Sequence, residues 1–206
     1  MKTRHIFNHV AAFGISRKAI FASAIAIAVF GIPALSVAGP SVGIGYSDVG
    51  LLGHAGRPGV TLSVGNLSRS NVSAWGSATY ARGYYNVNAS IGKLLPAGGV
   101  SFTPYASIGY LNLGSSEPES VSDTYGMAGV NLNIPIGQRV AILVGGGYGH
   151  TLSDGFGGAG GAVYKGKAEL GMEVARHVTA TINVSYMHIP GQQIMTEGAG
   201  LSYHFS

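Results

Sequence analysis

The segment YKGKAELGMEV, Tyr164–Val174, places every charge at an odd position: Lys165, Lys167, Glu169 and Glu173. Its even positions, Tyr164, Gly166, Ala168, Leu170, Met172 and Val174, carry none. Alternation of period two sends the two sets to opposite faces of a β-strand. In a soluble sheet the charged set would face water. The rest of the chain argues for the reverse.

Only 10% of the 206 residues are charged, against ~25% in soluble domains, and the mean hydropathy is positive. There is no cysteine, so neither a disulfide nor a thiolate metal site is available. Lys2, Arg4, Arg17 and Lys18 precede the apolar run Ala19–Ile32, followed by Pro33 and small Ser36 and Ala38 before Gly39. That layout predicts a secretory signal peptide over 1–38, cleaved on export, because the run is shorter than the ~20 residues of a spanning helix. Beyond it eight Lys and Arg balance eight Asp and Glu. The alkaline isoelectric point therefore belongs to the leader, and a nucleic-acid partner is rejected.

Residues 39–206 form one domain of alternating segments. Strands are expected near 41–48, 59–67, 72–81, 84–94, 100–112, 123–134, 139–151, 160–174, 178–188 and 197–205. In YYNVNASI, Tyr85, Val87, Ala89 and Ile91 oppose Asn86, Asn88 and Ser90; in VTATINVSY, Val178, Ala180, Ile182, Val184 and Tyr186 oppose Thr179, Thr181, Asn183 and Ser185. A soluble β-sandwich would also alternate, but its polar face would carry many Lys and Glu. Alternate connections are short (SRSN, LPAGG, PIGQ, ARH), and those between them are longer, as in LGSSEPESVS, LSDGFGGAG and IPGQQIMTE, with Arg82–Gly83 as the exception. Short turns at one end and long loops at the other predict a closed antiparallel up-and-down transmembrane β-barrel, all-β, of about ten strands, with an eight-stranded variant as the alternative. Pro104 falls inside a strand and predicts a local bulge.

Tyr46, Tyr80, Tyr85, Tyr110, Tyr148, Tyr164 and Tyr186 all lie on the apolar phase near the long-loop end of their strands. Such banding suits a membrane interface, where the ring meets lipid and the hydroxyl meets headgroups. Phe102, Tyr203 and Phe205 offer a second belt at the other end.

The last strand, EGAGLSYHFS, with SVGIGYS at the start of the domain and YYNVNASIGKLL in its middle, resembles small bacterial outer-membrane barrels. The similarity is to the outer-membrane protein X and attachment-invasion (Ail) family, and YfaZ-type barrels look similar too. Two departures are visible: those first proteins have eight strands, and they usually end on the aromatic, whereas Ser206 follows Phe205 here. The resemblance implies a Gram-negative outer-membrane location, surrounded by outer-membrane lipid and lipopolysaccharide. It also implies engagement of the barrel-assembly machinery through the C-terminal strand, and a structural or surface-interaction, adhesion-like role.

With the apolar phase toward lipid, Lys165, Lys167, Glu169 and Glu173 face the lumen; one residue of slip would put lysines in hydrocarbon at ~2–4 kcal/mol each. An antiparallel register around LSDGFGGAG sets Gly147 opposite Lys165, Gly145 opposite Lys167 and Arg139 opposite Glu173. These charges fill the interior structurally or line a narrow channel for ions or small solutes; the sequence favours the former. His150, Ser153 and Asp154 offer a remote hydrolase trio at the rim, and His54, His177, His188 and His204 are scattered without metal-ligand spacing. The expectation is a non-enzyme with no metal and no cofactor.

Overall fold

A computed structural model describes residues 39–51, 56–114, 121–153 and 160–205. The segment assigned to the leader lies outside the described residues. The strands are β1 (Ser41–Leu51), β2 (Arg57–Leu67), β3 (Val72–Ala81), β4 (Tyr84–Lys93), β5 (Leu95–Ala97), β6 (Val100–Leu113), β7 (Val121–Ile136), β8 (Val140–Thr151), β9 (Ala162–Ala175), β10 (Val178–Ile189) and β11 (Gln192–His204).

Pairing is antiparallel throughout, and the β1–β11 and β4–β6 ladders close the sheet on itself. Strands β4 and β5 are one stave. Both pair with β6 in a single register, Gly92 opposite Tyr105 and Leu95 opposite Phe102. The break between them faces Pro104, which has no N–H to give to the ladder. The expected bulge is absent: the β6–β7 register also runs unshifted through Pro104, opposite Val130. Missing one donor costs less than re-phasing a wall whose two faces differ so strongly.

The barrel therefore has ten staves rather than eight. Their even number returns the chain to its starting end, where Ser41 lies opposite His204 and the Phe205 N–H donates to the Pro40 carbonyl at 2.8 Å. Closure leaves no unpaired edge for hydrocarbon to punish.

All turns at that end are tight. Gly98 and Gly99 have φ of 54° and 91°, the mirror-image turn that matches strand twist and that side chains resist. At the other end Arg82–Gly83 and Pro190–Gly191 are also short reversals. IPGQQIMTE is thus not a loop: β11 begins at Gln192, well before the expected start at Glu197.

Between the two aromatic belts the faces divide as the alternation requires. Ile44 and Ile182 are 60% and 58% exposed on the outer wall, while their neighbours Gly45 and Thr181 line the interior. Past the tyrosine level the division inverts. Asp48, Asn112, His188 and Glu197 occupy the outward phase there, and Val49, Leu111, Leu113, Met187 and Ile189 point inward and are buried. Polar residues outside and buried apolar residues inside are the arrangement of a wall that stands in water around an ordinary hydrophobic core.

Candidate functional site

That core is a plug. Val49, Leu111, Val163 and Ile189 are completely buried, and they join Leu51, Ala81, Tyr84, Leu113, Tyr125, Met127, Met187 and Ile194 in one cluster. Its members come from β1, β3, β4, β6, β7, β9, β10 and β11, so it spans the lumen from wall to wall. Close packing of this kind narrows the lumen at that level. A constant apolar-outward rule conceals these residues in the sequence, because they carry the parity of the polar lumen face.

Beneath it lies a cavity of about 500 Å³. Its walls are mostly Ser, Thr, Asn and Gly, with Leu143, Tyr84 and Tyr125 among the larger residues and with Trp75 and Tyr105, whose rings meet edge to face at 5.5 Å. The hydroxyls of Ser47, Thr61 and Thr79 form a row across β1–β2–β3 at 2.5 and 2.8 Å, and Asn88 donates to the Ser77 hydroxyl at 2.8 Å. Glycines face the Tyr105 and Tyr125 side chains and leave them room. A Cβ at Gly129 or Gly147 would strike the Tyr105 ring or hydroxyl, and one at Gly109 would fall on the Tyr125 ring. Replacing Gly109 by Ala is expected to cost about 1–3 kcal/mol through overpacking. Thermal conversion of the folded, fast-migrating gel band to the unfolded one at a lower temperature is the readout.

The β8–β9 ladder sets Gly147 opposite Lys165, Gly145 opposite Lys167 and Tyr148 opposite Tyr164. Lys165, Lys167 and Glu169 all line the cavity. Lys165 sits one inward step below the plug residue Val163, and Glu169 two steps below Lys165. At the mouth, Glu173 donates its backbone N–H to the Arg139 carbonyl at 2.8 Å, while both side chains are exposed to solvent. The expected juxtaposition of Arg139 and Glu173 is thus made by the backbone.

Tyr46, Tyr80, Tyr85, Tyr110, Tyr148, Tyr164 and Tyr186 occupy outward positions. Tyr80 pairs with Tyr85, and Tyr164 stacks on His188 at 4.5 Å and lies 6.2 Å from Tyr186. At the turn end Phe102, Tyr203 and Phe205 are outward and exposed, the last two rings meeting at 5.0 Å.

The remaining polar candidates are otherwise engaged. The Ser153 hydroxyl donates to Asp123 at 2.6 Å and accepts the Thr124 N–H at 2.9 Å, pinning the end of β8 to β7. His150 is exposed on the outer wall, its Nδ1 3.1 Å from the Thr151 carbonyl. Asp154 and His54 lie outside the described residues. His204 Nε2 is 3.1 Å from the Thr179 hydroxyl at the turn-end rim. Among the described residues no three His, Asp or Glu converge as a metal would require.

No family model matches the chain, and no curated protein does. Solved structures do. The β-domain of the Bordetella autotransporter BrkA aligns with 82% of this chain and 100% of its own at 11% identity and a TM-score of 0.51. The translocator domain of autotransporter NalP from Neisseria meningitidis aligns over 91% and 95% at 11% identity, TM-score 0.46. The attachment invasion locus protein Ail of Yersinia pestis aligns over 81% and 96% at 15% identity, TM-score 0.36. Identities this low speak to architecture alone: the chain has the fold of the outer-membrane β-barrels, closed with ten staves.

Proposed function

We propose that the protein is a sealed, non-enzymatic barrel of the outer membrane, structural or surface-interacting, that works through its outer rim and loops rather than by passing solutes. The observation that supports this is the plug. A channel needs a hydrated route through the whole wall, and here the polar lumen meets fully buried Val49, Leu111, Val163 and Ile189 from four different strands. The outward turn of Asp48, Asn112 and Glu197 beyond the tyrosine level supports a rim that stands clear of the lipid. In this reading the tyrosine band rests among lipid and lipopolysaccharide headgroups. The leader over 1–38 is removed on export, and β11 is what the assembly machinery handles.

Purified protein in planar bilayers is expected to give no unitary current steps. Discrete, voltage-independent steps from the unmodified barrel would favour the narrow-channel reading instead.

A further inference from the structure

We propose that the blind vestibule beneath the plug is a binding site for a small, hydroxyl-bearing anion, phosphate- or carboxylate-containing, admitted from the short-turn end. Lys165 and Lys167 stand on the same inward phase of β9 and line the deep part of the cavity. Glu169, also on that phase, is the only carboxylate of the lining among the described residues. Lys165 makes no hydrogen bond or ion pair with a described residue, and the positions facing it across the ladders are Gly147 and Met187. An ammonium removed from bulk water without an anion beside it is costly. A ligand anion would supply that partner, and the facing glycine leaves room for it.

The rest of the wall offers what hydroxyl groups bind. Ser77, Asn88, Thr103, Asn183 and Ser185 line the cavity with hydroxyl and amide groups, Asn88 donating to Ser77 at 2.8 Å. The volume, about 500 Å³, lies within the range of small-molecule sites.

The charges at the two ends of the barrel set the direction. Around the short-turn rim Arg69, Lys93, Arg139 and Arg176 are exposed, against a single acid, Glu173. At the opposite end the described acids Asp48, Asp123 and Glu197 outnumber the described bases Arg57 and Arg82 by one, and the plug narrows the way. Low-dielectric walls focus such a field along the lumen, so an anion is drawn in at the basic mouth and held at the lysines.

Calorimetric titration of the detergent-solubilised full barrel with glycerol phosphate tests this, with glycerol as the neutral control. Saturable binding of glycerol phosphate alone is expected, weakening as salt is raised. Lys165→Gln with Lys167→Gln should weaken it at least about tenfold, and Glu169→Gln should tighten it by roughly threefold, because each changes the local charge by one or two units. Lys165→Arg with Lys167→Arg keeps the charge and should retain binding. No saturable response, an equal response to glycerol, or an affinity unchanged in the double glutamine variant overturns the proposal. Should that double variant not fold, Glu169→Gln decides alone: unaltered or weaker binding overturns it. A barrel that binds the anion but conducts sinks only the sealed-barrel reading; a silent barrel that does not bind sinks only this one.

Discussion

Cutting Leu111, Tyr125 and Ile189 back to alanine is expected to convert an electrically silent barrel into one with resolvable current steps. The three side chains are 0%, 1% and 0% exposed and project from β6, β7 and β10 into the same cluster. Tyr125 does two jobs there: its ring covers Gly109, and its hydroxyl meets the Asn86 side chain at 3.3 Å, at the boundary between plug and vestibule. Removing it takes away both the lid and part of the polar floor. Each truncation forfeits ~2–5 kcal/mol of packing. The wall itself is held by a different force. Its ladders are continuous around the ring, and opening any of them in hydrocarbon would strand backbone N–H and C=O groups. The plug can therefore loosen while the barrel persists, and the folded gel band should survive in the triple variant. A folded triple variant that stays silent would mean the block lies elsewhere.

The plug is also where sequence reasoning fell short, for a reason specific to barrels. Alternation assigns faces but does not say where the membrane ends. In GYLNL, Gly109–Leu113, Tyr110 marks the interface by its position, yet Leu111 and Leu113 carry the opposite parity. Read with a constant apolar-outward rule they are noise. Read with an inversion at the tyrosine level they are core. The same inversion disguised the start of β11. Gln193 faces outward beside His188, and Glu197 beside Asp48, so the segment lost its lipid-facing signature and looked like a loop. By contrast, the β8–β9 register was readable, because Lys165 and Lys167 tolerate only one face and Gly145 and Gly147 only one partner. The cavity walls were legible as a composition of Ser, Thr and Asn. Tyr105 and Trp75, which face the lumen, were not, since only parity distinguishes them from girdle aromatics.

Lysine placed at Ile182 and at Thr181, adjacent positions on β10, should differ widely in its effect on stability. Ile182 is 58% exposed on the outer wall, four residues from Tyr186 of the girdle and four from Val178, which pairs with Tyr203 of the opposite belt. It therefore lies near mid-bilayer, where an outward lysine costs ~2–4 kcal/mol. That is roughly a 30- to 700-fold loss in the folded-to-unfolded ratio. Thr181 points into the vestibule, and its ladder neighbours are Gly171 and Gly200, which leave space for a longer stem. Glu169, on the same inner wall, offers an opposite charge to a lysine there. Thr181→Lys should thus be close to neutral. Urea titration of both variants in lipid vesicles, followed by tryptophan emission from Trp75 inside the lumen, reads the difference. Equal costs at the two positions, or a greater cost at Thr181, would mean that the apolar wall does not face lipid. The faces of every strand would then have to be reassigned together, because a closed ladder cannot slip one stave by a single residue without turning its lysines outward.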